Sequence, residues 1–157
     1  MILKIKFFSL IFLSLMIVAC GFQLRGSIEA DFETIDVYGG TEGLNKHLIK
    51  RFKQSGIKIV TKDPEKTLEI LNDRLDKRIL SLSSSGSVKE YELTYIVTYR
   101  FKSSESSWSQ EIKKEITRDY TYDDNDRVAK ELEEKNIVQQ MRDEIVKSIV
   151  SQISVTR

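Results

Sequence analysis

Alternation between apolar and polar positions is clearest in the middle of the chain. Tyr91, Leu93, Tyr95, Val97, Tyr99 and Phe101 fall on one side; Glu90, Glu92, Thr94, Thr98 and Arg100 fall on the other. A period of two marks a strand with one buried face and one wet or polar face. Ile96 is the apolar exception on the polar side. Ser83–Gly86 reads as the hairpin turn before this strand, and Ser103–Ser107 as a serine-rich turn after it. Beyond that, Ile112, Ile116, Tyr120 and Tyr122 share a parity and predict the next antiparallel strand. Nearer the start, Thr34–Tyr38 alternates, is rich in β-branched residues and is closed by Gly39-Gly40, so it reads as another strand.

Two segments carry a helical period. Thr41 caps the first, in which Leu44, Leu48 and Phe52 recur four apart with Ile49 beside them, and Gly56 ends it in the left-handed conformation. Ile57–Val60 follows as a short strand. The second helix spans Arg127–Ile153 after the acidic junction Asp123–Asp126, with Val128, Leu132, Met141, Ile145, Ile149 and Ile153 as its apolar stripe. Tyr95, Val97, Ile145 and Ile149 are the expected centre of the core. Thr67–Leu82 reads both ways: Asp63-Pro64-Glu65 starts a helix well and Leu68, Leu71, Leu75 and Ile79 keep helical spacing. Leu68 and Ile70, however, alternate, and Ile79–Leu82 runs into the hairpin turn.

The N-terminus carries a different signal. Lys4 and Lys6 precede an apolar run, Phe7–Val18, and Ile17-Val18-Ala19-Cys20 has the form of a lipobox. The run is signal-peptide length, short of the roughly 20 residues that span a bilayer. The expected organisation is a signal peptide over 1–19, a lipidated tether over 20–32 and one domain over 33–157. Cys20 is the only cysteine. S-diacylglycerol and N-acyl groups there would anchor the chain permanently, at about 0.8 kcal/mol per buried methylene, and leave no thiol for a disulfide, metal or nucleophile. Gly21, where an Asp would retain many lipoproteins in the inner membrane, is compatible with the outer membrane.

Charge narrows the remaining classes. Removing Lys4 and Lys6 leaves 23 basic residues against 24 acidic ones, without the basic excess of a nucleic-acid binder. His47 is the only histidine, so a metal centre or catalytic triad would need unusual ligands. Asp123, Asp124 and Asp126 lack the glycine and bidentate glutamate of a calcium loop and read as helix caps. Glu90 and Glu92, about 7 Å apart on one strand face, are the paired carboxylates an envelope hydrolase would use; Lys89 and Arg100 nearby offer simple surface pairing instead. A generic lipid-binding lipoprotein is a third class. Trp108 fits a partly buried strand end.

Several segments, in order, resemble the lipopolysaccharide-assembly lipoprotein family LptE: Cys20-Gly21-Phe22-Gln23-Leu24-Arg25-Gly26, then Ser81–Leu93 with its glycine turn and Glu90-Tyr91-Glu92-Leu93, then Arg118–Asp124, then Ala129–Glu134. The resemblance implies an α+β fold with two α-helices packed on one face of a four-stranded, mostly antiparallel sheet. Thr67–Leu82 would then be a strand, with a bulge where its apolar parity shifts between Ile70 and Leu71. It also implies a non-enzymatic, cofactor-free role: a 1:1 complex with the outer-membrane β-barrel LptD, plugging its lumen and assisting its assembly and lipopolysaccharide placement in the outer leaflet. Any direct contact with the anionic lipid must come from a local cluster, and Lys77, Arg78, Lys89 and Lys130 are the candidates; the plainer alternative is that all four are solvated charges or partners of Asp76, Glu90 and Glu134. Intact mass of the purified protein is expected to show a chain that begins at lipid-bearing Cys20; an unprocessed Met1 or a free thiol would refute it.

Overall fold

A computed structural model describes residues 30–155; the lipobox and most of the tether lie outside them. The elements are β1 (Thr34–Gly39), α1 (Glu42–Gln54), β2 (Lys58–Ile59), β3 (Lys66–Leu82), β4 (Val88–Ser103), β5 (Ile112–Thr121), a 3₁₀ turn (Asp124–Asp126) and α2 (Arg127–Val155). The strands form one mixed sheet in the order β2-β1-β3-β4-β5. β1 runs parallel to both neighbours, and the long β3–β4–β5 meander is antiparallel. The fold is thus the expected α+β arrangement, with a two-residue fifth strand, β2, added to the four implied by the resemblance.

The ambiguous stretch Thr67–Leu82 is strand throughout. Its helical spacing is an effect of a bulge: the β3–β4 register shifts between Ile70 and Asn72. Before it, Leu68 and Ile70 lie opposite Phe101 and Tyr99; after it, Asp73, Leu75, Lys77 and Ile79 lie opposite Val97, Tyr95, Leu93 and Tyr91. One extra residue keeps both halves of β3 on the same face of the sheet, which a pure period of two cannot do.

That face carries the core. Leu44, Leu48 and Phe52 from α1, Leu93, Tyr95, Val97 and Tyr99 from β4, and Met141, Ile145, Ile149 and Ile153 from α2 are all essentially inaccessible. α1 begins where Thr41 Oγ1 accepts a hydrogen bond from Leu44 N at 3.3 Å. It ends as Gly56, at φ +81°, lets Gly56 N reach Lys53 O and Ile57 N reach Phe52 O, the double closure that satisfies last-turn carbonyls. Gly39 fits β1 against the bulge, since a Cβ there would stand 2.2 Å from Ile70 O.

Asp73, turned to the helix side by the bulge, accepts hydrogen bonds from Thr41 N at 3.1 Å, from Thr41 Oγ1, and from Tyr95 OH at 2.5 Å. Arg142 on α2 approaches the same phenol, with Nε 3.4 Å from Tyr95 OH. One carboxylate therefore connects β3, the cap of α1, β4 and, through Tyr95, α2.

Two expectations need correction. The chain before residue 33 is not all tether: Phe32 is buried in the core, Ala30 packs on it, and Lys66 Nζ lies 4.7 Å from the Phe32 ring centroid. Lys66 also donates to Asp31 at 3.1 Å and to Ile153 O at 3.0 Å, tying the entering chain to the last turns of α2. Val128 and Leu132 are not on the buried stripe; they are 82% and 60% exposed. The stripe facing the sheet passes through Glu134, Ile137, Val138 and Met141, and a helical rotation of about 100° per residue puts Leu132 on the far side from Glu134.

Ile145→Ala is expected to lower unfolding free energy by roughly 2–5 kcal/mol, as for other deleted buried side chains. Urea unfolding followed by circular dichroism measures it, and an unchanged midpoint would show that this face of α2 does not carry the core.

Candidate functional site

The β3–β4 hairpin extends beyond β1, because β1 pairs with β3 only over Lys66–Ile70. At this end Lys77 lies on the helix side of the sheet. Its Nζ is 2.6 Å from Glu134 Oε2 on α2, 4.1 Å from the Tyr91 ring centroid and 5.7 Å from that of Tyr120. Tyr120 OH donates to the same Glu134 oxygen at 2.5 Å, and Tyr120 stacks on Tyr91 at 5.8 Å. Partial burial opposes the charge on Lys77, but hydrogen bonds to Glu134 and Tyr120 outweigh it and hold the ammonium well above its ordinary value. Burial likewise opposes ionisation of Glu134, and the hydrogen bonds from Lys77 and Tyr120 prevail, so its carboxyl is held low. Lys77 is thus a committed cation that clamps the start of α2 to the sheet.

The remaining candidates are divided between surfaces. Arg78, one residue on, points to the opposite, open face, where Nε and Nη2 donate to Glu92 at 2.5 and 3.1 Å. Hairpin pairing therefore does not gather Lys77 and Arg78 into one cluster; adjacent strand residues face opposite ways. Lys89 is exposed and has no side-chain ion pair among the described residues. Its carbonyl accepts from Tyr122 N at 2.8 Å, which brings the end of β5 beside it. Lys130 Nζ reaches Thr121 Oγ1 at 3.2 Å and Glu133 at 2.8 Å, and Thr121 pairs with Glu90, next to Lys89. Lys89 and Lys130 are therefore at the same end of the molecule as Lys77.

Around these cations the surface carries exposed aliphatic side chains. Ile79, Leu80 and Leu82 are exposed by 43–57%, and with Val128 and Leu132 they border the hairpin and the first turns of α2. A shallow recess of about 680 Å³ opens against α2 between Asp124 and Lys135.

The open face of the sheet is different. Arg100 pairs with Glu69 at 2.6 Å and lies 4.6 Å from the Trp108 ring centroid, with Lys102 5.1 Å from the same ring. Arg78–Glu92 and the hydroxyl pair Thr94–Thr117 across strands, and Lys113–Glu115 along β5, continue it as a polar, paired surface. Glu90 accepts from Ser81 at 2.5 Å, and the hydrogen bond from Arg78 holds Glu92 below the usual carboxylate range. A carboxyl held low is the reverse of what a general acid at neutral pH requires, so Glu92 does not suit that role. Among the described residues, no group of three or more His, Cys, Asp or Glu could hold a metal, and no helix is long and apolar enough to cross a membrane.

The sequence profile of the LptE family, lipopolysaccharide-assembly, matches residues 32–153. The chain belongs to the LptE family. This is a non-enzymatic, cofactor-free family of envelope lipoproteins engaged in lipopolysaccharide assembly. Its fold is similar to that of the uncharacterized lipoprotein B from Nitrosomonas europaea, solved by NMR, at 31% identity and TM-score 0.70 over 85% of this chain and 90% of that one. It is also similar to the crystal structure of rare lipoprotein B from Shewanella oneidensis, at 28% identity and TM-score 0.68 over 77% and 93%. A minor lipoprotein from Acinetobacter baumannii shares the fold at 18% identity, TM-score 0.61, over 80% and 92%. No curated protein sequence matches this LptE-family chain.

Residues that sequence reasoning missed here are Tyr120 at the hairpin end, and Asp73 and Arg142 at the centre; Glu134, a possible partner of the four cations in the sequence, is the partner of Lys77. Each acts across elements, so only the bulge position and the rotation of α2 reveal them. Burial raises the phenols of Tyr95, Tyr99 and Tyr120 to about 12, with hydrogen bonds to Asp73 and Glu134 adding to the effect at Tyr95 and Tyr120. A folded value above the unfolded one near 10 means this contribution is complete below pH 10 and is lost as pH rises towards 12. Thermal midpoints should therefore fall steeply across pH 10–12, and less steeply in Tyr95→Phe; equal slopes would refute the assignment.

Proposed function

We propose that this chain acts at the outer membrane as the lipid-anchored partner of the LptD barrel. It forms a 1:1 complex, sits in the lumen as a plug, and assists barrel assembly and delivery of lipopolysaccharide to the outer leaflet. Family membership over residues 32–153 carries this reading. The open face of the sheet supports it: the lumen of a transmembrane barrel is polar, and a face covered by paired charges and hydroxyls suits a wet, hydrogen-bonded interface. Cys20, with S-diacylglycerol and an N-acyl chain, would tether the domain to the periplasmic side of that membrane.

Direct contact with lipopolysaccharide would fall to the hairpin end, where cations stand among exposed aliphatic residues. An amphiphile with phosphates and acyl chains needs both. Lys89, which has no ion pair among the described residues, and Lys130, paired only with Glu133 on its own helix, are the contact residues in this reading; Lys77 is committed across elements to Glu134, and Arg78 to Glu92 on the other face. Lys77 then supports the site by holding α2 in place.

Detergent extraction of the tagged full chain is expected to recover a β-barrel in equal amount; a clean monomer would overturn the plug reading. Lys89→Glu with Lys130→Glu should keep the barrel but weaken lipopolysaccharide capture, and the remaining capture should be less salt-sensitive. Unchanged capture at both low and high salt would remove these lysines from the lipid contact.

A further inference from the structure

We propose that the cleft between α1 and α2 binds a phosphate group. The two helices lie side by side, with Gly43 against the Arg142 guanidinium and His47 Nδ1 2.6 Å from Asp143 Oδ1. Further along, a cavity of about 160 Å³ is lined by His47, Lys50, Arg51, Gln54, Asp143 and Lys147. Its charge is one-sided. Asp143 is the only carboxylate in the lining and is engaged by His47, whereas Lys50, Arg51 and Lys147 have no ion pair among the described residues. Arg51 Nε, at the back of the guanidinium, is buried with no hydrogen-bond partner among the described residues.

Those features ask for an anion. A buried donor left unmet is unfavourable, and three unpaired cations around one cavity repel one another. Elsewhere Arg78, Arg100, Arg118 and Arg127 each have a carboxylate within 3.2 Å. A phosphate answers the excess of positive charge, because its oxygens accept from guanidinium, ammonium and amide donors arrayed around it. The last-turn carbonyls of α1, which would oppose an anion, are occupied by the N–H groups of Ser55, Gly56 and Ile57.

The phosphate could be free or belong to a lipid headgroup. The C-terminal end of α1 leads into β2, whose Lys58 N donates to Glu33 O where the chain enters the sheet. A headgroup source rests on the proposed lipidation of Cys20, which would keep the domain at a membrane; the phosphate site itself does not.

His47, the only histidine, gives a single-site reporter. Its imidazole resonances would be followed by NMR in the full lipidated chain, held in phosphate-free nonionic micelles. Inorganic phosphate is expected to shift them saturably, and chloride at matched ionic strength is not. Arg51→Gln with Lys147→Gln should weaken binding about tenfold or more. Lys50→Gln with Lys147→Gln changes only exposed side chains and gives the same test should the first variant fail to fold. Transfer to nanodiscs containing phosphatidylglycerol separates the sources: His47 at its phosphate-bound position identifies a headgroup, and His47 at its free position identifies free phosphate. A non-saturating drift shared by phosphate and chloride, or variants that titrate like the parent, would overturn the site.

Discussion

Asp73 accepts from both the backbone and the hydroxyl of Thr41 and from the phenol of Tyr95, so a single half-buried carboxylate fixes where α1 starts relative to the centre of the sheet. It can do so only because β3 contains one residue more than its partner. Without the bulge between Ile70 and Asn72, Asp73, Leu75 and Lys77 would turn to the open face. α1 would lose its anchor and α2 the cation that meets Glu134. The placement of both helices therefore depends on a backbone irregularity rather than on apolar burial alone.

Polar groups divide the molecule into regions of different character. On the open face, opposite charges sit across neighbouring strands and largely neutralise one another, an arrangement of little value to stability where it is exposed but well matched to a hydrated partner. At the hairpin end, by contrast, ionic and aliphatic groups are mixed and partly unpaired. Between the helices, cations outnumber the single carboxylate that faces them. Net charge near zero conceals these local differences.

Much of the architecture was legible in the residue pattern. β4, β5 and α2 follow from unbroken periodicity, and α1 from Thr41 and Gly56 at its two ends. β3 was not legible by period alone, because a bulge in a strand mimics helical spacing; the family resemblance was needed to decide it. Val128 and Leu132 misled because three to four residues of spacing defines a stripe but not which side of it meets the sheet. Arg78 lies at the same end as Lys77, but adjacent residues of a strand face opposite ways, so nearness in sequence does not gather the two on one surface. The clamp among Lys77, Glu134 and Tyr120 joins three elements, and nothing local in any of them announces it.

The outer edge of β3 beyond Ile70 has no strand beside it among the described residues. Half of its amides and carbonyls in Asn72–Leu82 consequently point away from β4, offering a template along which another chain could pair. What restrains such growth is the row of charges on the open side, Arg74, Asp76 and Arg78, one every second residue. An incoming strand would have to set an acid, a base and an acid opposite them in register or suffer like-charge contact. The edge is therefore closed to indiscriminate polymerisation and open only to a strand with the complementary alternation.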